Sequence, residues 1–324
     1  MPEIRQDPFS RKMVIISKDR AKRPINLKDS EENMQTINGN KCFFCTGNEE
    51  LTPPEVDRIE KNGVWQTRII PNKFPILSNE ASIDSEEKIY TSSCGYGVHD
   101  VVIETNRHEG NFFNMTEEEF YNYIFILKKR YNSLKVNTQI EYISIFKNHQ
   151  RKAGASLEHA HSQILTVPVV PIDIFNEVES ARAQYGKTGR SLHDTIISYE
   201  RQKNERIIHE SEDFIILAPY ASLYNNEIEV ICKDNVRFED ISEKETNELS
   251  SLLKNLFSKM YRYLGDFPFN MYIHTHPVNE KFIDTYKWHI HIAPRMSCQA
   301  GFELSTGIYV NAITPESVAE LLKW

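Results

Sequence analysis

The 324-residue chain is poor in cysteine, has no long apolar run and carries no excess of positive charge. Five cysteines, an odd number with two in a Cys42-x-x-Cys45 pair, do not make a disulfide framework. They fit a reduced compartment and a metal or redox role. No apolar stretch approaches the ~20 residues of a membrane-spanning helix. The opening Met-Pro-Glu-Ile-Arg-Gln-Asp has no apolar core of a secretory signal, so a cytoplasmic chain without membrane contact is expected. A formal net charge of −8 argues against nucleic acid as a partner, while leaving room for a local basic pocket. What is present is ordinary for a globular protein: 40% hydrophobic and 26% charged residues, in a length that suits one large domain or two average ones.

Hydrophobic periodicity supplies the organisation. Trp65 to Ile70, Val98 to Thr105 and Ile140 to Phe146 read as strands. Between the last two, Thr116-x-x-Glu119 forms a capping box ahead of an apolar stripe, Phe120, Tyr123, Ile124, Leu127, Tyr131 and Leu134. That spacing predicts an amphipathic helix of about five turns. The second half repeats the order. Phe214 to Pro219 and Ile228 to Ile231 are strand-like, and Ser242-x-x-Glu245 caps Leu249, Leu252, Leu253, Leu256, Met260 and Tyr263. Phe269 to His274 is the next strand. Each unit then ends in a strand with an H-x-H pair, His159/His161 and His289/His291, at nearly the same distance from its cap. The expectation is an α+β fold made of two copies of one unit, side by side on a shared antiparallel sheet with packed helices. Residues 1–175 and 205–324 form the units, and 176–204 a charged, partly helical connection.

The stretch from Gly154 to Thr166, G-A-S-L-E-H-A-H-S-Q-I-L-T, carries the chemistry. Its β-rich tail favours a strand, in which His159, His161 and Gln163 face one wall of a cleft. Cys42-Phe43-Phe44-Cys45 sits between Gly39 and Gly47, and the loop-like sequence after it favours a zinc knuckle over a helix-borne redox pair. Two further ligands are needed, and His108, at a strand end, and His159 are the candidates for a tetrahedral S2N2 shell. His161 then stays available as general base, metal ligand or nucleophile. Around it, Gly154-Ala155-Ser156 offers backbone N–H groups and a hydroxyl, Asn148 an amide, and Arg151 or Lys152 a charge, a set suited to phosphate oxygens. Gln163 can hydrogen-bond but cannot move a proton, so the wall looks built to hold a phosphoryl group rather than to hydrolyse it. A purely structural metal site is the competing reading of these histidines.

Together the H-x-H-x-Q strand after G-A-S, the early C-x-x-C, D-R-A-K-R-P and a late Gly-Phe-Glu resemble the galactose-1-phosphate uridylyltransferases of the histidine-triad superfamily. The branch containing ADP-glucose phosphorylase is especially similar, in N-K-F-P, T-P-P-E-V and H-D-V-V-I-E. The resemblance runs over nearly the whole chain and is weakest between 176 and 210. It implies two histidine-triad-like halves, usually assembled as a homodimer, and ping-pong nucleotidyl transfer between nucleotide-sugar and sugar 1-phosphate substrates. It implies His161 as the nucleophile and Gln163 as its phosphoryl-holding partner. Cys42, Cys45, His108 and His159 match the zinc ligands. Arg20, Arg23, Asn72, Asn148, Gly154 and Ser156 match positions near the nucleotide and phosphates, and Phe302 and Glu303 a pair that meets the sugar. Glu177, His274, His289 and His291 match a second metal site, for iron or zinc.

Three departures stand out: Ala160 replaces the proline common between the two histidines, no second C-x-x-C follows residue 180, and Lys287 stands where many relatives have histidine. The reading taken forward is UDP-glucose:hexose-1-phosphate uridylyltransferase, in galactose metabolism. An ADP-glucose or other nucleotide-sugar phosphorylase or adenylyltransferase is the alternative, and an inactive zinc-binding interaction module the remote one.

Overall fold

The computed structural model describes residues 2–6, 13–16, 42–80, 91–281 and 283–324. A small sheet joins β1 (Glu3–Gln6) to β2 (Met13–Ile16) and β5 (Thr91–Cys94). All other strands form one ten-stranded antiparallel sheet: β3 (Asp57–Lys61), β4 (Val64–Pro71), β6 (His99–Ile103), β7 (Tyr142–His149), β8 (His161–Val167), β9 (Ile207–Glu210), β10 (Phe214–Leu217), β11 (Ile228–Cys232), β12 (Phe269–His274) and β13 (His289–Pro294). Its order, β3-β4-β6-β8-β7-β12-β13-β11-β10-β9, reads the same from both ends once the second unit is laid on the first. β9 corresponds to β3, β10 to β4, β11 to β6, β13 to β8 and β12 to β7. The units meet where β7 pairs with β12, from Phe269 opposite His149 to Ile273 opposite Ile145. The fold is α+β, as the periodicity implied.

Each unit contributes one long helix between corresponding strands, α1 (Glu117–Leu134) and α4 (Glu243–Leu264). Both capping boxes form, Thr116 with Glu119 and Ser242 with Glu245. The two helices pack on each other and on one sheet face, so that Phe120, Tyr123, Leu127 and Tyr131 share a core with Leu249, Leu253, Leu256 and Met260. Each fully buried side chain of this kind contributes roughly 1.5–3 kcal/mol. Ile126 and Phe257 join them, whereas Tyr263, in the last turn of α4, is 38% exposed. The connection is two helices, α2 (Ile172–Thr188) and α3 (Leu192–Lys203). α2 covers part of the other sheet face, where Ile174, Val178 and Ala181 meet Tyr142, Leu165 and Tyr286. Two short helices, α5 (Gly301–Thr306) and α6 (Pro315–Leu322), end the chain.

This division of faces positions the site. Along β8, Ser162 and Ile164 point to α1, Ser162 through a 2.9 Å hydrogen bond with the Tyr123 hydroxyl. His161 and Gln163 therefore point to the opposite face. One expectation is corrected here. His159 is not in the strand, because β8 begins at His161 and residues 158–159 form a bend. The bend turns His159 away from its neighbour without any conflict with strand alternation.

Candidate active site

His161, at the first position of β8, is 8% exposed and stands in the wall of a cavity of about 700 Å³. Its Nδ1 lies 2.8 Å from the His159 carbonyl oxygen. A carbonyl only accepts, so Nδ1 carries the proton and Nε2 keeps its lone pair. Gln163, Asn148, Asn72, Gly154 and Ser156 line the same cavity. Gly154 adopts φ +95°, which lets the loop after β7 turn back beneath Asn148. The apolar lining includes Phe43, Phe44, Leu51, Pro53, Ile70 and Val101, and suits a flat base. Arg151 and Lys152, the expected cations, are exposed and do not line the cavity; Lys73 does. Arg20 and Arg23 lie outside the described residues. Phe302 and Glu303 sit on α5, the former 53% exposed, and neither lines the cavity.

Beside the cavity, the structure brings Cys42, Cys45, His108 and His159 together, with their ligand atoms all within 4.8 Å of one another. A tight turn aims both thiols, as Cys45 N–H donates to the Cys42 carbonyl at 3.2 Å and the Asn48 amide to the same oxygen at 2.7 Å. Sγ-to-Nδ1 distances are 3.7 Å for Cys42–His159, 3.6 Å for Cys45–His159 and 3.2 Å for Cys45–His108. Zinc–sulfur and zinc–nitrogen bonds of about 2.3 and 2.1 Å in a tetrahedron give edges of about 3.6 Å. His159 Nε2 donates to the Thr105 carbonyl at 2.8 Å, which leaves Nδ1 as the ligand atom. Burial, and then the neighbouring Cys42, push the Cys45 thiol up to about 11. A divalent cation removes that like-charge conflict, so the donor set fits zinc. Phe44 packs edge-on against the rings of both His159 and His161 and ties the two sites mechanically.

The second unit holds a related cluster. His289 begins β13 as His161 begins β8, and its Nδ1 meets the Lys287 carbonyl at 3.0 Å, the same i−2 contact. Register makes His291 the counterpart of Gln163, since they face Tyr272 and Phe146 respectively. The expected four residues assemble. His274 Nδ1 lies 3.1 Å from Glu177, His289 Nε2 is 3.8 Å from it, and the ligand atoms of His274, His289 and His291 are within 4.8 Å. His193, Glu229 and His289 form a second, overlapping set. Because His289 has one lone pair left, at Nε2, the two sets share a single ligand atom there.

Sequence reasoning missed four residues. Glu229 had a signal, a lone carboxylate in the apolar run Ile228 to Cys232. His193 had none, because nothing in a charged connection marks one histidine. His99, buried at 4% exposure, meets Gln163 Oε1 at 2.9 Å, and Asn270 donates to Asn148 Oδ1 at 2.8 Å. His99 lay within the quoted H-D-V-V-I-E, but its target is 64 residues away and only strand pairing brings it close.

Residues 78–323 match a family described as a domain of unknown function, DUF4921. The chain is 33% identical over 329 residues to the ADP-glucose phosphorylase of Arabidopsis thaliana, covering 99% of this chain and 92% of that protein. It is 25% identical over 334 residues to the galactose-1-phosphate uridylyltransferase of Thermotoga maritima, covering 100% and 98%. Among solved structures it resembles the Arabidopsis ADP-glucose phosphorylase with bound ADP-glucose, with TM-score 0.77, 31% identity and 100% and 99% coverage. A uridylyltransferase at 22% identity, TM-score 0.80 and 99% and 97% coverage shares the fold. No helix among the described residues is long and apolar enough to cross a membrane.

Proposed function

The chain belongs to the galactose-1-phosphate uridylyltransferase-like family, which includes ADP-glucose phosphorylase, and on that premise we propose that it transfers a nucleotidyl group through a covalent nucleotidyl-histidine. The observation that carries the reading is His161, whose Nδ1–H is committed to the His159 carbonyl and whose side chain lines a cavity rich in groups that can donate to phosphate. Nε2 attacks the α-phosphorus of a nucleoside-diphosphate sugar. A P–N bond forms, the P–O bond to the β-phosphate breaks, and sugar 1-phosphate leaves with the electron pair. Gln163, Asn148, Ser156 and the Gly154 backbone hold the phosphoryl oxygens as charge develops. An acceptor phosphate oxygen then attacks the same phosphorus and returns Nε2 to its neutral state. Cys42, Cys45, His108 and His159 would hold zinc, which would cross-link the knuckle to the loop before β8 and take no part in the transfer.

We read the donor as ADP-glucose, with phosphate as the acceptor. The supporting finding is the 33% identity to a plant ADP-glucose phosphorylase, above the 25% to a bacterial uridylyltransferase. It moves the balance from the uridylyl reading of the sequence to its alternative. Uridylyl transfer to a hexose 1-phosphate stays the second reading, supported by the whole-length match to that uridylyltransferase. A homodimer is part of the proposal, to be measured by analytical ultracentrifugation.

The test uses ADP-glucose and UDP-glucose labelled at the α-phosphate. ADP-glucose is expected to leave more acid-labile label on the protein, none of it on His161→Ala, and phosphate is expected to release it as ADP. Stronger labelling by UDP-glucose, discharged by galactose 1-phosphate, would establish the second reading. Label from neither donor would sink the covalent mechanism.

A further inference from the structure

An amide that must donate to phosphate can be turned the wrong way, because its oxygen and nitrogen ends have nearly the same shape. Gln163 and Asn148 both face the cavity, and each meets a buried or half-buried side chain on its far side. The orientation of each is fixed by a backbone group whose role is not in doubt.

For Gln163 the chain of logic starts at Ile76. Its backbone N–H donates to His99 Nδ1 at 3.2 Å, so that nitrogen is the acceptor of a neutral imidazole. The ring proton is then on Nε2, and the group it meets at 2.9 Å must be an oxygen, Gln163 Oε1. Asn72 Nδ2 also approaches His99 Nε2, at the longer distance of 3.2 Å. The Asn72 amide is itself fixed by the Phe74 N–H donating to Oδ1 at 2.9 Å, so it presents only N–H to His99, cannot accept from it, and makes no hydrogen bond with the protonated Nε2. The proton on His99 Nε2 therefore belongs to Gln163. For Asn148 the starting point is the Ala153 carbonyl, which accepts from Asn270 Nδ2 at 2.8 Å. The same NH2 reaches Asn148 at 2.8 Å, which must present Oδ1. Both amides are left with their NH2 groups directed elsewhere, and Asn148 Nδ2 lies beside Gly154 in the cavity lining.

The internal repeat supports this independently. β6 and β11 are counterparts, with Val101 opposite Gln163 and the corresponding Glu229 opposite His291. Two residues earlier stand His99 and Glu227, and Glu227 Oε1 lies 3.2 Å from His291 Nδ1. The same position thus holds the same target in both units.

We infer that His99 and Asn270 are positioning residues that lock Gln163 and Asn148 with their NH2 groups toward the transferred phosphoryl group. Neither touches the reacting atoms. The inference rests on the nucleotidyl-transfer reading for its consequence, though not for its geometry.

Two measurements test it. Long-range ¹H–¹⁵N spectra of the histidine rings, assigned by comparison with His99→Gln, are expected to show His99 with its proton on Nε2; the Nδ1–H tautomer would overturn the inference. Single-turnover labelling by ADP-glucose is expected to slow about 10- to 100-fold in His99→Leu with little change in KM, less than the 10²–10³ of losing a donor outright. His99→Gln, which keeps an N–H near Nε2, is expected to recover part of the rate. In a Gln163→Ala background His99→Leu is expected to cost nothing further, and in Asn148→Ala the same holds for Asn270→Ala. An undiminished effect in either background would show that the residue does not act through its amide. A wild-type chain that takes no nucleotide from either donor refutes the transfer reading, and the tautomer then decides the His99 role by itself.

Discussion

Behind the nucleophile lies a buried ion pair whose loss is calculable. Lys147 of β7 and Glu104, just after β6, flank β8 on its helix side, 1% and 0% exposed. The ammonium is 2.9 and 2.7 Å from the two carboxylate oxygens and 3.5 Å from the His161 carbonyl, and Ser162 donates to the same carboxylate. Glu104→Gln keeps the shape and an acceptor for Ser162, but removes the counter-charge. At 2.7 Å and an effective dielectric of 20 the attraction is about 6 kcal/mol, most of it offset by the desolvation of both groups. Leaving one partner of such a pair uncompensated costs about 3–5 kcal/mol. Unfolding entropy near 2.1 cal/mol/K per residue gives about 0.7 kcal/mol/K for 324 residues, so Tm falls by about 4–7 °C. Burial holds the Lys147 ammonium below the ordinary lysine value, with Glu104 opposing that shift. Without Glu104 the folded chain binds fewer protons than the unfolded chain near that value. The deficit therefore narrows as pH rises toward the ordinary lysine range. Adding Lys147→Met is expected to restore most of the loss, since the double variant leaves no buried charge. Calorimetry of the wild type, the single and the double variant is the assay. An unchanged Tm in Glu104→Gln, or a double variant no better than the single, would refute the reasoning.

Further expectations follow from the other sites. Cys42→Ser is expected to lower bound zinc and Tm together; unchanged zinc by mass spectrometry would refute the Cys42, Cys45, His108 and His159 set. Gly154→Ala meets nothing closer than 3.7 Å, so its cost is the positive φ, about 1–2 kcal/mol, expected as slowed labelling with the fold intact. Labelling at the wild-type rate would remove the loop from the phosphoryl site. Burial would raise the Glu119 carboxyl, but bonds from Arg107, Thr105 and the Thr116 N–H outweigh it and hold the group below 4.5. Its stabilising effect is thus present above that value and lost as pH falls through the lower folded one, and Glu119→Gln is expected to flatten this acid limb in urea titrations; an identical limb would sink the assignment. His289→Ala is expected to empty the second cluster, because its Nε2 serves both ligand sets, and unchanged total metal would refute that.

Much of the fold was legible because it depends on local pattern. The capping boxes at Thr116 and Ser242 announced α1 and α4, and each stripe found its partner in the other helix. Strands were readable where alternation was clean, as in Phe269 to His274. The metal knuckle was legible in part: Cys42 and Cys45 lie near one another in any conformation, the need for two more ligands made His108 and His159 the candidates, and motif resemblance matched both. Sending His159 to the thiols and His161 to the phosphate already called for a strand twist or a bend, but its place was not legible, since an H-x-H pair looks the same whether the strand starts before it or after it.

The sequence by itself determined the α+β architecture and its duplication, because period and capping act over a few residues, while Glu177, His274, His289 and His291 of the second cluster came from motif resemblance and His193 and Glu229 were not found. Only the tertiary structure decided what each polar side chain touches. His99 reaches Gln163, Asn270 reaches Asn148, and Lys147 finds Glu104 through strand pairing across 64, 122 and 43 residues. It also showed how His159 and His161 part, one turned to the thiols and the other to the cavity: a bend rather than strand alternation sets their directions. Hydrogen-bond direction depends on which partner sits opposite, and register across the sheet chooses that partner.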